Sequence, residues 1–191
     1  MDHVVRAVRA EEWPQVRELR LAALRDPAAP VAFLEAYEDA AVKPDAYWQE
    51  RASGASRGSR VRQFVAEGPH GVWAGSVTVL VEEAGQDDAF GGVIERRQAH
   101  LVGVFVRAEH RGSGVTEALF EAAVAWAWSL EGLERVRLYV HEDNARAQAF
   151  YRRFGFVGSG VVVPVPGDPS AREYELVLER PSGPGGSDDA V

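Results

Sequence analysis

The chain has 191 residues, a net charge of −8 at neutral pH, five histidines and no cysteine. The lack of cysteine excludes disulfides, thiolate metal sites and a cysteine nucleophile, and the negative balance argues against a nucleic-acid surface, which needs a basic face. No run of apolar residues approaches the roughly 18 that cross a bilayer, and the start Met1-Asp2-His3-Val4-Val5-Arg6 lacks the apolar stretch of a secretory signal.

These features lead to the expectation of a cytoplasmic, bacterial-type protein with no membrane or nucleic-acid partner. An apolar share of 46% suits one globular domain, expected over residues 1–180. The acidity is compatible with a cationic substrate, although solubility alone accounts for it.

Residues 4–9 alternate apolar and charged side chains and predict an edge strand. Residues 11–24 place Val16, Leu19, Ala23 and Leu24 at helical spacing, with Pro14 in the first turn, where proline is tolerated. Asp26-Pro27-Ala28-Ala29-Pro30 breaks that helix. Residues 31–51 read as one or two helices interrupted near Pro44, and the small polar residues 53–59 as a loose turn. Strands are expected over 62–67 and 72–83, joined at Gly68-Pro69-His70-Gly71. The glycine- and acid-rich segment 84–97 reads as an exposed, mobile hairpin loop.

A strand over 98–106 follows, then a helix from about 113 to 130 that ends near Gly132. The remaining elements are a strand over 135–140, a helix over 144–154 and closing strands over 156–163 and 172–178. Residues 181–189 offer no apolar side chain to bury, so the tail 181–191 is expected to be disordered.

The chemistry concentrates after the strand 98–106. There Arg111-Gly112-Ser113-Gly114-Val115-Thr116 leads into the long helix. Glycines just before a helix let the backbone approach a ligand, with several amide N–H groups pointing one way. Those amides and the positive end of the helix dipole suit a diphosphate, with Arg111 as an adjacent cation. A nucleotide-binding P-loop is rejected because Val115 and Thr116, not Lys and Ser/Thr, follow Gly114. A dinucleotide fingerprint is rejected because Glu117 stands where a small residue is needed. Downstream, Asn144 is a good N-cap, and Ala147, Phe150, Tyr151 and Phe154 share one helical face before Gly155 and Phe156. By itself, Tyr151 reads as a core aromatic with its hydroxyl at the rim.

Taken together, Arg111, Gly114 and Thr116, then Asn144, Ala147, Tyr151, Gly155 and Phe156, resemble the motifs of the GNAT family of N-acetyltransferases. The likeness is sharp over residues 98–157 and elsewhere rests on element order. It implies an α/β (α+β) fold: a mixed, mostly antiparallel central sheet of about seven strands flanked by about four helices. It also implies acetyl-CoA as co-substrate, no metal, and an amine acceptor attacked directly in a ternary complex.

Carried over by position, Val104, Phe105 and Val106 would pair with the pantetheine arm, and one of their amides would polarise the thioester carbonyl. The amides of Gly112, Ser113, Gly114, Val115, Thr116 and Glu117 would hold the diphosphate. Asn144 would contact the coenzyme, and Tyr151 would protonate the departing thiolate. Thr116 departs from the family's glycine or alanine. Tyr139 stands where enzymes that acetylate ribosomal protein N-termini carry a glutamate base, which weakens that reading.

An amine acceptor also needs a proton acceptor, for which His141, His100, Glu82 and Glu83 are candidates and no pattern singles one out. A small-molecule amine is the expected acceptor, with a protein amine or a non-catalytic acyl-CoA sensor as alternatives. The exposed edge of the last strands offers a surface for pairing with another chain as a homodimer.

Overall fold

The computed structural model describes residues 3–88 and 90–181; all of the expected tail except Pro181 lies outside the described residues. The described residues form seven strands: β1 (Val4–Ala7), β2 (Val61–Glu67), β3 (Trp73–Glu82), β4 (Gln98–Val106), β5 (Arg135–His141), β6 (Val157–Val165) and β7 (Asp168–Glu179). They form one sheet in the order β1-β2-β3-β4-β5-β7-β6. Every neighbouring pair is antiparallel except β4–β5. The mixed, mostly antiparallel sheet is therefore as expected, with β1 at one edge and β6 at the other.

Among the described residues five α-helices flank it: α1 (Trp13–Leu24), α2 (Tyr37–Ala41), α3 (Asp45–Arg57), α4 (Val115–Ser129) and α5 (Ala145–Phe154). Three local expectations need correction. Residues 31–36 carry no α-helix, only the end of a single 3-10 turn over Ala29–Val31. Residues 53–57 continue α3, because Ala52, Ala55 and Ser56 are buried and packing overrides the weak helix preference of small polar residues. The segment 84–97 is not simply exposed: Asp87 bridges Val93, and Ile94 is buried.

Two apolar layers hold the sheet. On one face Leu119, Phe120 and Ala123 of α4 pack with Val136 and Leu138 of β5; on the other Val16, Leu19 and Trp48 pack with Val65 and Phe105. Each fully buried large side chain here contributes on the order of 1.5–3 kcal/mol.

A bulge interrupts β4. Ser76 pairs with Phe105 but Thr78 pairs with Val102, so β4 holds one extra residue. The extra residue falls at Gly103, whose φ of 62° is open to glycine and costly for other residues. This bulge inverts the alternation: Leu101 and Val106 both face the first core, whereas Phe105 faces the second. A bulged strand bends. β4 pairs with β5 only from Gln98↔Arg135 to His100↔Arg137, and beyond that point the two strands part.

Candidate active site

The wedge between β4 and β5 opens into a cleft of about 1040 Å³. Its lining brings together most of the residues singled out in the sequence. Val104, Phe105 and Val106 come from β4, and Arg111, Gly112, Gly114, Thr116 and Glu117 from the turn into α4. Asn144 and Tyr151 come from the start and body of α5. Two side chains stay out. Ser113 is exposed, with its hydroxyl donating to the His110 carbonyl at 2.6 Å, and Val115 is buried in the core.

Gly112 and Gly114 hold φ of 75° and 86°, and a Cβ built on either meets nothing within 4 Å. The backbone is thus open on the cleft side. The first bond into α4 is Ala118 N–H to the Gly114 carbonyl, at 3.0 Å. Among the described residues no acceptor takes the amide hydrogens of Gly112 through Glu117. Unpaired amides at the positive end of a 15-residue helix fit an anion such as a diphosphate.

Arg111 is less available than the sequence suggests. Its Nε donates to the Val106 carbonyl at 3.0 Å, and its Nη2 is paired with Asp26. A bound phosphate must share that guanidinium with a carboxylate. Asn144 is also engaged. Its Oδ1 accepts from the Ala147 amide at 3.2 Å, capping α5, and its Nδ2 donates to the Val31 carbonyl at 3.3 Å. The same side chain therefore ties α5 to the turn that follows α1.

Tyr151 lies among Phe120, Phe150 and Phe156, with ring centroids at 5.5, 5.8 and 6.3 Å. The ring is 8% exposed, and no described residue hydrogen-bonds its hydroxyl. Burial pushes the phenol well above its ordinary value. The group keeps its proton at neutral pH, as a proton donor must.

Glu82, His100 and Tyr139 of the cleft lining belong to a buried polar network, centred on Arg137, that was not foreseen. Arg137 donates to Glu82 at 2.8 and 2.9 Å, to the Tyr139 hydroxyl at 2.9 Å and to Glu175 at 3.2 Å. His100 Nδ1 lies 3.1 Å from the same Glu82 carboxylate. Burial would raise Glu82, but His100 and Arg137 outweigh it and hold the carboxyl down at about 2. A carboxylate pulled below its unfolded value of 4.5 stabilises the fold fully above that value, and this contribution is lost as pH falls toward 2. Removing Arg137 leaves Glu82 with His100 and Gln98 alone, and Glu175 with Arg135 at 3.5 Å as its only cation among the described residues. Arg137→Ala is therefore expected to lose about 3–5 kcal/mol of stability in urea titration. A loss below about 1 kcal/mol would show the network to be well solvated.

Such a carboxylate is a poor proton acceptor, and Glu83, paired with Arg97 at 3.2 Å, does not line the cleft. His141 lines it, but its Nδ1 accepts the Asp143 amide at 3.1 Å, so the neutral ring carries its proton on Nε2. Sequence reasoning missed Glu173. It sits opposite His141 in the β5–β7 register, lines the cleft, and among the described residues has no hydrogen-bond or ion-pair partner. Burial raises its carboxyl above the ordinary value, opposed only partly by His141 and His100.

The family model "Acetyltransferase (GNAT) family" matches residues 13–156. The chain is 41% identical over 59 residues to a mycothiol acetyltransferase of Salinispora arenicola, a match covering 31% of this chain and 19% of that protein. The fold is similar to an acetyltransferase of the GNAT family from Streptococcus pneumoniae, with a TM-score of 0.72, 15% identity, and 94% and 100% of the two chains covered. It is also similar to spermidine N-acetyltransferase from Vibrio cholerae in complex with CoA and spermine, with a TM-score of 0.65, 17% identity, and 93% and 95% covered. At those identities the two structures speak for the fold, and the family model, spanning most of the chain, speaks for kinship: the protein belongs to the GNAT family of acetyltransferases.

Proposed function

We propose that the protein transfers the acetyl group of acetyl-CoA to the primary amine of a small molecule, by direct attack within a ternary complex. The observation that carries this reading is the wedge. β4 turns unpaired backbone away from β5 just where the cleft also receives the open amides of the α4 turn and the Tyr151 hydroxyl. A thioester laid along β4 then has its diphosphate at the helix terminus and its sulfur near the phenol. The segment 31–35 and residues 86–88 also line the cleft, which suits a compact acceptor better than an extended polypeptide.

In this account the amine nitrogen bonds to the acetyl carbon while the carbon–sulfur bond breaks. Tyr151 supplies a proton to the departing sulfur, and Glu173 accepts the proton that the attacking amine loses. A β4 amide holds the carbonyl oxygen as charge develops on it. Initial-rate kinetics should give intersecting double-reciprocal lines, whereas parallel lines would indicate an acetyl-enzyme and sink direct attack. Glu173→Gln should lower kcat roughly tenfold near neutral pH, a defect that shrinks as alkaline pH supplies neutral amine. In the wild type the rate should rise with pH through the elevated Glu173 value, and the variant should lose that limb. An unchanged profile would remove Glu173 from the reaction.

A further inference from the structure

The wall of the cleft formed by α1 and α3 carries charge that acetyl transfer itself does not use. Arg20 and Arg51 both line the main cleft, and both also line a small side pocket that reaches Gly103 and Phe105 at the β4 bulge. Arg20 places Nε and Nη2 on a single oxygen of Glu35, at 3.0 and 2.9 Å. Lys43 takes the other oxygen at 2.7 Å. Glu35 thus already answers two cations. Arg51 has no carboxylate within ion-pair distance among the described residues, and its Nη1 donates to the Tyr47 hydroxyl at 3.4 Å. Of the cleft-lining members of this group, Arg20 and Arg51 against Glu35 leave one positive charge in excess, with Lys43 as a second cation on Glu35 from outside the lining.

The neighbouring groups register this field. Burial would raise the Tyr47 phenol, yet Lys43 and Arg51 bring it below its ordinary value. Arg20 is lowered first by burial and further by the charge of Arg51, despite its bonds to Glu35. A half-buried guanidinium with an open fork beside a second guanidinium is a receptor for a planar anion.

We propose that Arg20 and Arg51 receive a carboxylate on the acceptor, so that the acceptor class is a small amine that also bears a carboxylate, as amino acids do. The inference rests on the acetyl-transfer reading. Closeness to the β4 bulge places this carboxylate beside the acetyl end of the cleft, and Glu173 on β7 faces the amine. The two poles suit a zwitterion and disfavour a polyamine.

The test uses matched pairs, the standard amino acids and their carboxamides, with spermidine as an amine lacking any anion, each assayed with acetyl-CoA. The acids should be favoured by about a hundredfold or more in kcat/KM. Arg51→Gln should raise KM for the acids about tenfold or more, with kcat changed only a few-fold and the carboxamides unaffected. Arg51→Lys should recover part of the loss. Equal use of acids, carboxamides and spermidine, with Arg51→Gln without effect, overturns the carboxylate receptor and leaves acetyl transfer standing. If no amine in any series is acetylated while acetyl-CoA binds, both readings fail.

Discussion

Tyr151→Phe is expected to lower kcat by roughly one to three orders of magnitude while acetyl-CoA affinity changes less than about tenfold. The substitution keeps the ring that packs on Phe120, Phe150 and Phe156 and removes only the hydroxyl, so the fold should persist. A thiol has an ordinary pKa near 8.5, so an expelled thiolate is a fairly stable anion at neutral pH. Protonation therefore speeds its departure without being indispensable, which bounds the loss. Burial holds the phenol protonated through the working range, so the wild-type rate should show no alkaline fall from Tyr151 below its raised value. Near-wild-type kcat in the variant, with chemistry shown to limit the rate, would make Tyr151 a core aromatic only.

Gly114→Trp should abolish detectable acetyl-CoA binding in calorimetry. Gly114 opens α4 at a φ of 86°, with open space where its Cβ would stand, and among the described residues the neighbouring amides have no acceptor. An indole there occupies the room a diphosphate needs, and the left-handed backbone adds a strain of about 1–2 kcal/mol. That strain is too small to unfold a typical domain, so circular dichroism should remain native. Unchanged affinity would place the coenzyme elsewhere.

The parts of the molecule that were legible in the sequence are those fixed by neighbours in the chain. The Gly112–Gly114 turn, the Asn144 cap and the end of α5 at Gly155 follow from backbone chemistry acting over a few residues. The aromatic face of α5 follows from helical period. By contrast, no local signal places β7 between β5 and β6, and that insertion is what sets Glu173 opposite His141. Arg137 likewise reads as a surface residue of an alternating strand until β3 and β7 bring Glu82 and Glu175 to it. α3 outran its expected end because the burial of Ala55 and Ser56 is a tertiary fact. The bulge at Gly103 was hidden for the same reason: an apolar strand with a glycine in it reads the same whether paired straight or bent.

This cleft is expected to join an acetyl group to an amine. The most direct measurement follows thiol release from acetyl-CoA and the acetylated amine by mass spectrometry in one reaction, across amines, amino acids, peptides and aminoglycosides. Thiol and N-acetyl product should appear in a one-to-one ratio, release without an amine should be negligible, and Tyr151→Phe should slow both equally. Thiol release that proceeds at the same rate with no amine present, or an amine panel that stays unmodified while acetyl-CoA is bound, would contradict it.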